Sequence, residues 1–158
     1  MATDIQYVKG DATNPAGPGN KIIVHICNDV GGWGKGFVMA ISAKWPAPER
    51  QYREWFKSKE NFALGQVQFV PVEEHTWVAN LIGQRDTRRD AAGNPPIRYD
   101  AVAAGLDRVG QFARERGAAV HMPRIGCGLA GGTWDRIEPL IQAHLSAKGI
   151  AVTVYDFA

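Results

Sequence analysis

Residues 21–27, Lys-Ile-Ile-Val-His-Ile-Cys, are a nearly continuous β-branched run. A strand with one wet face alternates apolar and polar residues, so an unbroken run predicts a strand covered on both faces, as in the middle of a parallel sheet. The stretch GFVMAISAKW then places Phe37, Ile41 and Trp45 at fourfold spacing, a helical pattern that Pro46 stops. Residues 47–57 read as a second helix, with Tyr52, Trp55 and Phe56 on its apolar side. Strands are expected at 5–8, 66–72, 76–82, 118–122 and 150–155, and helices at 99–116 and near 133–147. The segment 83–97, rich in Arg, Asp, Gly and Pro, is expected to be a loop. The order β-β-α-α-β-β-α-β-α-β implies an α/β fold whose mixed, mostly parallel sheet is covered on both faces. No repeat or linker interrupts it, so residues 1–158 are expected to form one domain.

Composition narrows the function classes. With 45% hydrophobic and 22% charged residues the chain can bury a core, and a net charge of +2 gives no broad basic surface for nucleic acid. Cys27 and Cys127 lie far apart, without the spacing of a disulfide framework or a zinc site, so no metal and no cofactor is expected. No apolar run reaches the ~20 residues of a membrane span. The first residues do not read as a signal peptide. A monomeric, cytoplasmic protein without a membrane partner is the expectation.

Two glycine-rich loops carry the chemistry. The first, after the strand at 21–27, has four glycines within residues 31–36. Such a backbone can approach a ligand closely and turn its N–H groups toward an anion, and the helix that follows adds the partial positive charge of its N-terminus. The same residues can also be no more than a tight turn. A Walker-type phosphate loop is excluded, because Lys35 does not stand behind six loop residues ending in Ser or Thr. The second loop, 126–132, repeats the logic, with Thr133 as N-cap of the next helix. Both follow strands and open into helices, which is where α/β sheets bind ligands. Asp11, in Gly10-Asp11-Ala12-Thr13, can cap its own turn or accept a hydrogen bond from an exocyclic amine.

In this order and spacing, GDAT, HICND running into GGWGKGF, MPRIGCGLAGG and the closing VTVYDF resemble macrodomains over nearly the whole chain. The likeness is greatest to the branch that includes the terminal ADP-ribose protein glycohydrolase and related bacterial and yeast proteins. The resemblance implies a three-layer α/β/α macrodomain that binds ADP-ribose and ADP-ribosylated proteins. It matches Asp11, with Ala12, to the residues at the adenine amine, and Asn28 to the polar residue beside the distal ribose. It also matches Gly34, Lys35, Gly36 and Phe37 to one diphosphate loop, and Pro123, Gly126, Cys127, Gly128, Leu129 and Ala130 to the other. Tyr155 matches an adenine-packing side chain, with a core tyrosine as the alternative. Trp33 either packs on the distal ribose or closes its own loop.

The match fails at two positions. The related glycohydrolase attacks the sugar with a lysine after the fourth strand and carries an aspartate after GCGL; Gln84 and Ala130 stand there in this chain. Glutamine forms no Schiff-type intermediate and alanine transfers no proton, so that mechanism is disfavoured. A water positioned by Asn28 or Asp29 is the remaining route, with Asp29 as the nearest carboxylate by sequence and a turn cap as its alternative role. Asp135 is expected to serve its helix N-terminus, His25 to be structural, and Lys35 to be an ordinary exposed lysine. Three functions stay open: a hydrolase that removes ADP-ribose from acidic side chains by ester cleavage at C1'', a non-catalytic reader, and an ADP-ribose 1''-phosphate phosphatase. The first is preferred, because an ADP-ribosyl ester is labile enough for a positioned water.

Overall fold

The computed structural model describes residues 2–157. The strands are β1 (Gln6–Lys9), β2 (Lys21–Asn28), β3 (Val67–Glu73), β4 (Thr76–Gln84), β5 (Ala119–Met122) and β6 (Val152–Asp156). The helices are α1 (Phe37–Lys44), α2 (Ala47–Ser58), α3 (Tyr99–Arg116) and α4 (Trp134–His144), the last followed by a 3₁₀ turn at Ser146–Lys148. The element order is the expected one, and boundaries move by a few residues. The largest change shortens the last helix, with Pro139 inside it and the 3₁₀ turn taking over what had read as its end.

One six-stranded sheet runs in the order β1-β6-β5-β2-β4-β3. All pairings are parallel except β3 with β4, a hairpin at one edge. The β-branched run therefore lies between β5 and β4, with Ile22, Ile23 and Val24 fully buried. Its alternate side chains feed two cores. Ile22 and Val24 join Val102, Leu106, Ile137 and Ile141 beneath α3 and α4. Ile23 and Cys27 join Trp33, Ile41, Trp45 and Tyr52 beneath α1 and α2. Helices on both faces of a mostly parallel sheet give the three layers.

Helix ends follow from local chemistry. The residue after α1, Trp45, is extended, as the clash with Pro46 requires. The chain leaves α3 through Gly117 in the left-handed conformation, where the missing Cβ removes the steric cost. No helix among the described residues is long and apolar enough to cross a membrane.

Candidate functional site

The carboxyl ends of β2, β4 and β5 open into one cleft of about 580 Å³, within the roughly 300–1,000 Å³ of small-molecule pockets. The two glycine-rich loops form opposite walls. Residues 32–38 line one side, Pro123 to Gly126 and Gly128 to Ala130 the other, and Gln84 and Thr87 lie at the end of β4. The walls come close together: a Cβ placed on Gly36 would lie 3.6 Å from Leu129 Cδ1.

The distinctive property of this cleft is its free backbone donors. The N–H groups of residues 34–38 donate to no acceptor among the described residues, nor do those of Gly126, Gly128, Leu129 and Ala130. The first turn of α1 has no side-chain cap. An α-helix leaves its first N–H groups without internal partners and carries a partial positive charge there, so an uncapped start in a cleft attracts an anion. Lys35 adds a full charge to the lining, no Asp or Glu is part of it, and Arg124, also in the lining, is paired in two hydrogen bonds with Asp156 at 2.6 and 3.0 Å. The arrangement suits a doubly charged, elongated anion held between two walls.

Both loops depend on backbone shapes that favour glycine. Gly36 has φ 82° and ψ −145°, a region that side chains avoid. Gly126 has φ 73°, and a Cβ there would lie 2.8 Å from Ile97 Cδ1. Its carbonyl accepts the Gly132 N–H at 2.7 Å, which closes the second loop.

Asn28 organises the first loop. Its Oδ1 accepts the N–H groups of Val30 (3.0 Å) and Gly32 (2.9 Å), and its Nδ2 donates to the Gly32 carbonyl at 2.9 Å. The hydroxyl of fully buried Tyr52 lies 2.5 Å from the Asn28 carbonyl and 2.9 Å from Oδ1, so α2 pins the end of β2. Asn28 lines the cleft, but most of its amide capacity shapes the loop. Tyr52 had no sequence signal beyond its place on an apolar helix face.

Trp33 is packed into the protein and lines the cleft at the same time. Its indole is buried in the core beneath α1 and α2, and its Nε1 donates to Ser42 Oγ at 2.7 Å. Ser42 donates in turn to Glu49, which pairs with Arg53 at 3.0 Å, and Arg53 reaches the Gly31 and Trp33 carbonyls at 3.3 Å.

His25 lies at the base of the cleft and is buried. Asn80 Nδ2 donates to the Pro48 carbonyl at 3.2 Å, which leaves its Oδ1 as acceptor for His25 Nε2–H at 2.6 Å. Burial lowers the His25 pKa to about 4, so the ring is neutral and structural, as expected. Burial also pushes the Cys27 thiol up, which removes thiolate chemistry from this strand.

The other expected site residues lie beside the cleft. Asp11 Oδ1 accepts the N–H and hydroxyl of Thr13 at 2.8 and 2.7 Å, so the carboxylate caps its own turn, and Oδ2 finds no donor among the described residues. Ala12 is buried, and it stands with Asp11 outside the cleft lining. Tyr155 is also buried; its hydroxyl meets His121 Nδ1 at 2.8 Å and accepts the Ala16 N–H at 3.2 Å. Cys127 is half-buried and turned out of the lining. Asp29 Oδ1 accepts the Asp86 N–H at 2.7 Å and ties the first loop to the segment after β4, while Oδ2 stays free among the described residues. Gln84 and Ala130, where the expected lysine and aspartate are missing, both line the cleft. Thr133 occupies the N-cap position of α4 without a side-chain cap; its N–H donates to Tyr99 Oη at 3.1 Å instead. Asp135 is in the first turn of α4, as expected. Among the described residues no group of three or more His, Cys, Asp or Glu is placed to hold a metal ion.

No family model matches the chain. It is 30% identical over 184 residues to the ADP-ribose 1''-phosphate phosphatase of Saccharomyces cerevisiae, covering 98% of this chain and 99% of that one. It is 26% identical over 152 residues to the ADP-ribose glycohydrolase OARD1 of Bos taurus, covering 96% of this chain and 90% of that one. Identity to the chromodomain-helicase-DNA-binding protein 1-like of Mus musculus is 32% over 164 residues, which is 99% of this chain and 18% of that protein. The chain thus spans under a fifth of that relative's length. Among solved structures, a Bacteroides thetaiotaomicron protein is 58% identical with a TM-score of 0.98, covering 99% of this chain and 100% of that one. A macrodomain protein from Streptomyces coelicolor is 54% identical with a TM-score of 0.87, covering 98% of this chain and 100% of that one.

Proposed function

The chain belongs to the macrodomain family, and from that premise we propose that its cleft binds ADP-ribose and that the protein is a hydrolase acting at C1'' of the distal ribose. The observation that carries this reading is the pair of facing loops whose free N–H groups line one cleft without a carboxylate. They suit the diphosphate, and the polar rim at Asn28, Gln84 and Thr87 suits the distal ribose. Asp11, through its free Oδ2, and Tyr155 serve the adenine end from outside this lining. Residues 1–158 act as one domain in this reading.

The preferred substrate is an ADP-ribosyl ester on a glutamate or aspartate side chain. Without a lysine at Gln84, the attacking group is water. Asn28 positions it, and Asp29, through its free Oδ2, takes its proton as the ester oxygen leaves C1'' with the bonding pair. Asp29 lies at the junction of two lining segments, held there by the Asp86 N–H. A specific observation favours a second reading: the yeast relative that matches end to end is named for removal of the 1''-phosphate. Both reactions place their scissile bond at the same end of the ligand.

The test measures release of ADP-ribose from glutamate-modified protein beside release of phosphate from ADP-ribose 1''-phosphate, with calorimetric binding of ADP-ribose in parallel. Faster release from the ester supports the proposal, and turnover of the phosphate alone favours the second reading. Binding with neither release leaves a reader and overturns the enzyme.

A further inference from the structure

The proposed function leaves unused the arginine-rich segment after β4. Residues 85–89 read Arg-Asp-Thr-Arg-Arg and are exposed. The segment is pinned at the cleft. Asp86 N–H donates to Asp29, Gln84 Nε2 donates to the Asp86 carbonyl at 2.8 Å, and Arg85 N–H donates to the Pro96 carbonyl at 2.9 Å.

Its own acids are exposed but hydrogen-bonded to the segment's own backbone. The Asp86 carboxylate accepts the Thr87 N–H at 2.6 Å. The Asp90 carboxylate accepts the N–H groups of Ala92 and Asn94, both at 2.9 Å, and stands 3.8 Å from Arg98. Arg89 donates to the Gly93 carbonyl at 2.8 Å. Arg85 and Arg88 have no carboxylate partner among the described residues. They flank Thr87, which lines the cleft.

We propose that Arg85 and Arg88 form a docking surface for an acidic stretch of polypeptide around the modified side chain. This deepens the proposed function and rests on it. A carrier attached at C1'' leaves the cleft at the end where Gln84 and Thr87 lie. Guanidinium groups without internal partners match carboxylates in charge and in planar, paired hydrogen-bond geometry. Nucleic acid fits less well. The segment has no aromatic side chain on which a base can stack, and the whole chain carries a net charge of only +2.

The test uses synthetic peptides that carry ADP-ribose through a stable amide linkage, flanked by glutamates or by glutamines. Calorimetry compares the wild type with the Arg85→Gln, Arg88→Gln double variant. The wild type should bind the glutamate-flanked peptide roughly fivefold tighter, as two exposed ion pairs allow, and the preference should shrink with added salt. The double variant should bind both peptides equally while keeping its affinity for free ADP-ribose. Equal binding of the two peptides by the wild type, with free ADP-ribose still bound, overturns this inference alone, as does a preference that survives in the double variant. An ADP-ribosylated single-stranded oligonucleotide that binds tighter than the acidic peptide, and loses that advantage in the double variant, overturns it in favour of nucleic acid. Failure of free ADP-ribose to bind either protein overturns the reading of the cleft and this inference with it.

Discussion

Replacing Gly36 by alanine tests the first loop where its backbone is most demanding. At φ 82° and ψ −145° an L-residue pays about 1–3 kcal/mol for the conformation. Sterics add little, since the nearest atom to the new Cβ is Leu129 Cδ1 at 3.6 Å. The protein can respond in two ways. If the loop holds its shape, the strain lowers stability, and Tm falls by about 2–12 °C for a chain of this size. If the loop relaxes, the N–H groups at the start of α1 turn away, and ADP-ribose affinity falls by about 5- to 150-fold. The losses in stability and binding should together come to about 1–3 kcal/mol. Thermal melting of the free protein and calorimetry with ADP-ribose measure the two parts. Gly34→Ala is the stability control, because its φ is ordinary and its new Cβ meets nothing within 4 Å. Unchanged Tm and unchanged affinity in Gly36→Ala would refute the reasoning.

Tyr52→Phe removes the buried hydroxyl that pins Asn28 and should cost about 1–3 kcal/mol in a denaturant titration, with weaker ADP-ribose binding; an unchanged midpoint would contradict the anchoring role. Asp29→Asn keeps an acceptor for the Asp86 N–H but removes the base, so turnover should fall by about 10²–10⁴-fold with binding intact. Full turnover in that variant would reduce Asp29 to a clamp. Burial lowers both His25 and His121 to about 4, from an ordinary value near 6.5. The unfolded chain therefore binds more protons between those values; stability is complete above pH 6.5 and is lost toward pH 4 by up to about 1.4 kcal/mol per pH unit for each ring. Denaturation midpoints that stay flat from pH 6.5 to 4.5 would falsify this assignment.

The layout of the sheet and both loop positions were legible because they rest on local patterns: an unbroken β-branched run, fourfold apolar spacing, and glycines between strand and helix. Trp33 was ambiguous because either role needs an aromatic at that position; the chain from Ser42 through Glu49 to Arg53, which fixes its indole, joins α1 and α2 to the loop across tertiary space. The anchoring of Asn28 by Tyr52 was invisible for the same reason, since the partners are 24 residues apart. Asp29 lies outside the cleft lining because the segment after β4 folds back to claim one of its oxygens, a contact no spacing rule predicts. His25 was readable, because a histidine inside a buried run must be neutral and partnered.

The central claim is that two backbone loops hold the diphosphate of ADP-ribose. It is tested most directly by titrating ¹⁵N-labelled protein with ADP-ribose and following the backbone amides. The largest shifts should fall on residues 34–38 and on Gly126, Gly128, Leu129 and Ala130, whose N–H groups lack protein acceptors. Shifts confined to other surfaces, or none at saturating ADP-ribose, would contradict it.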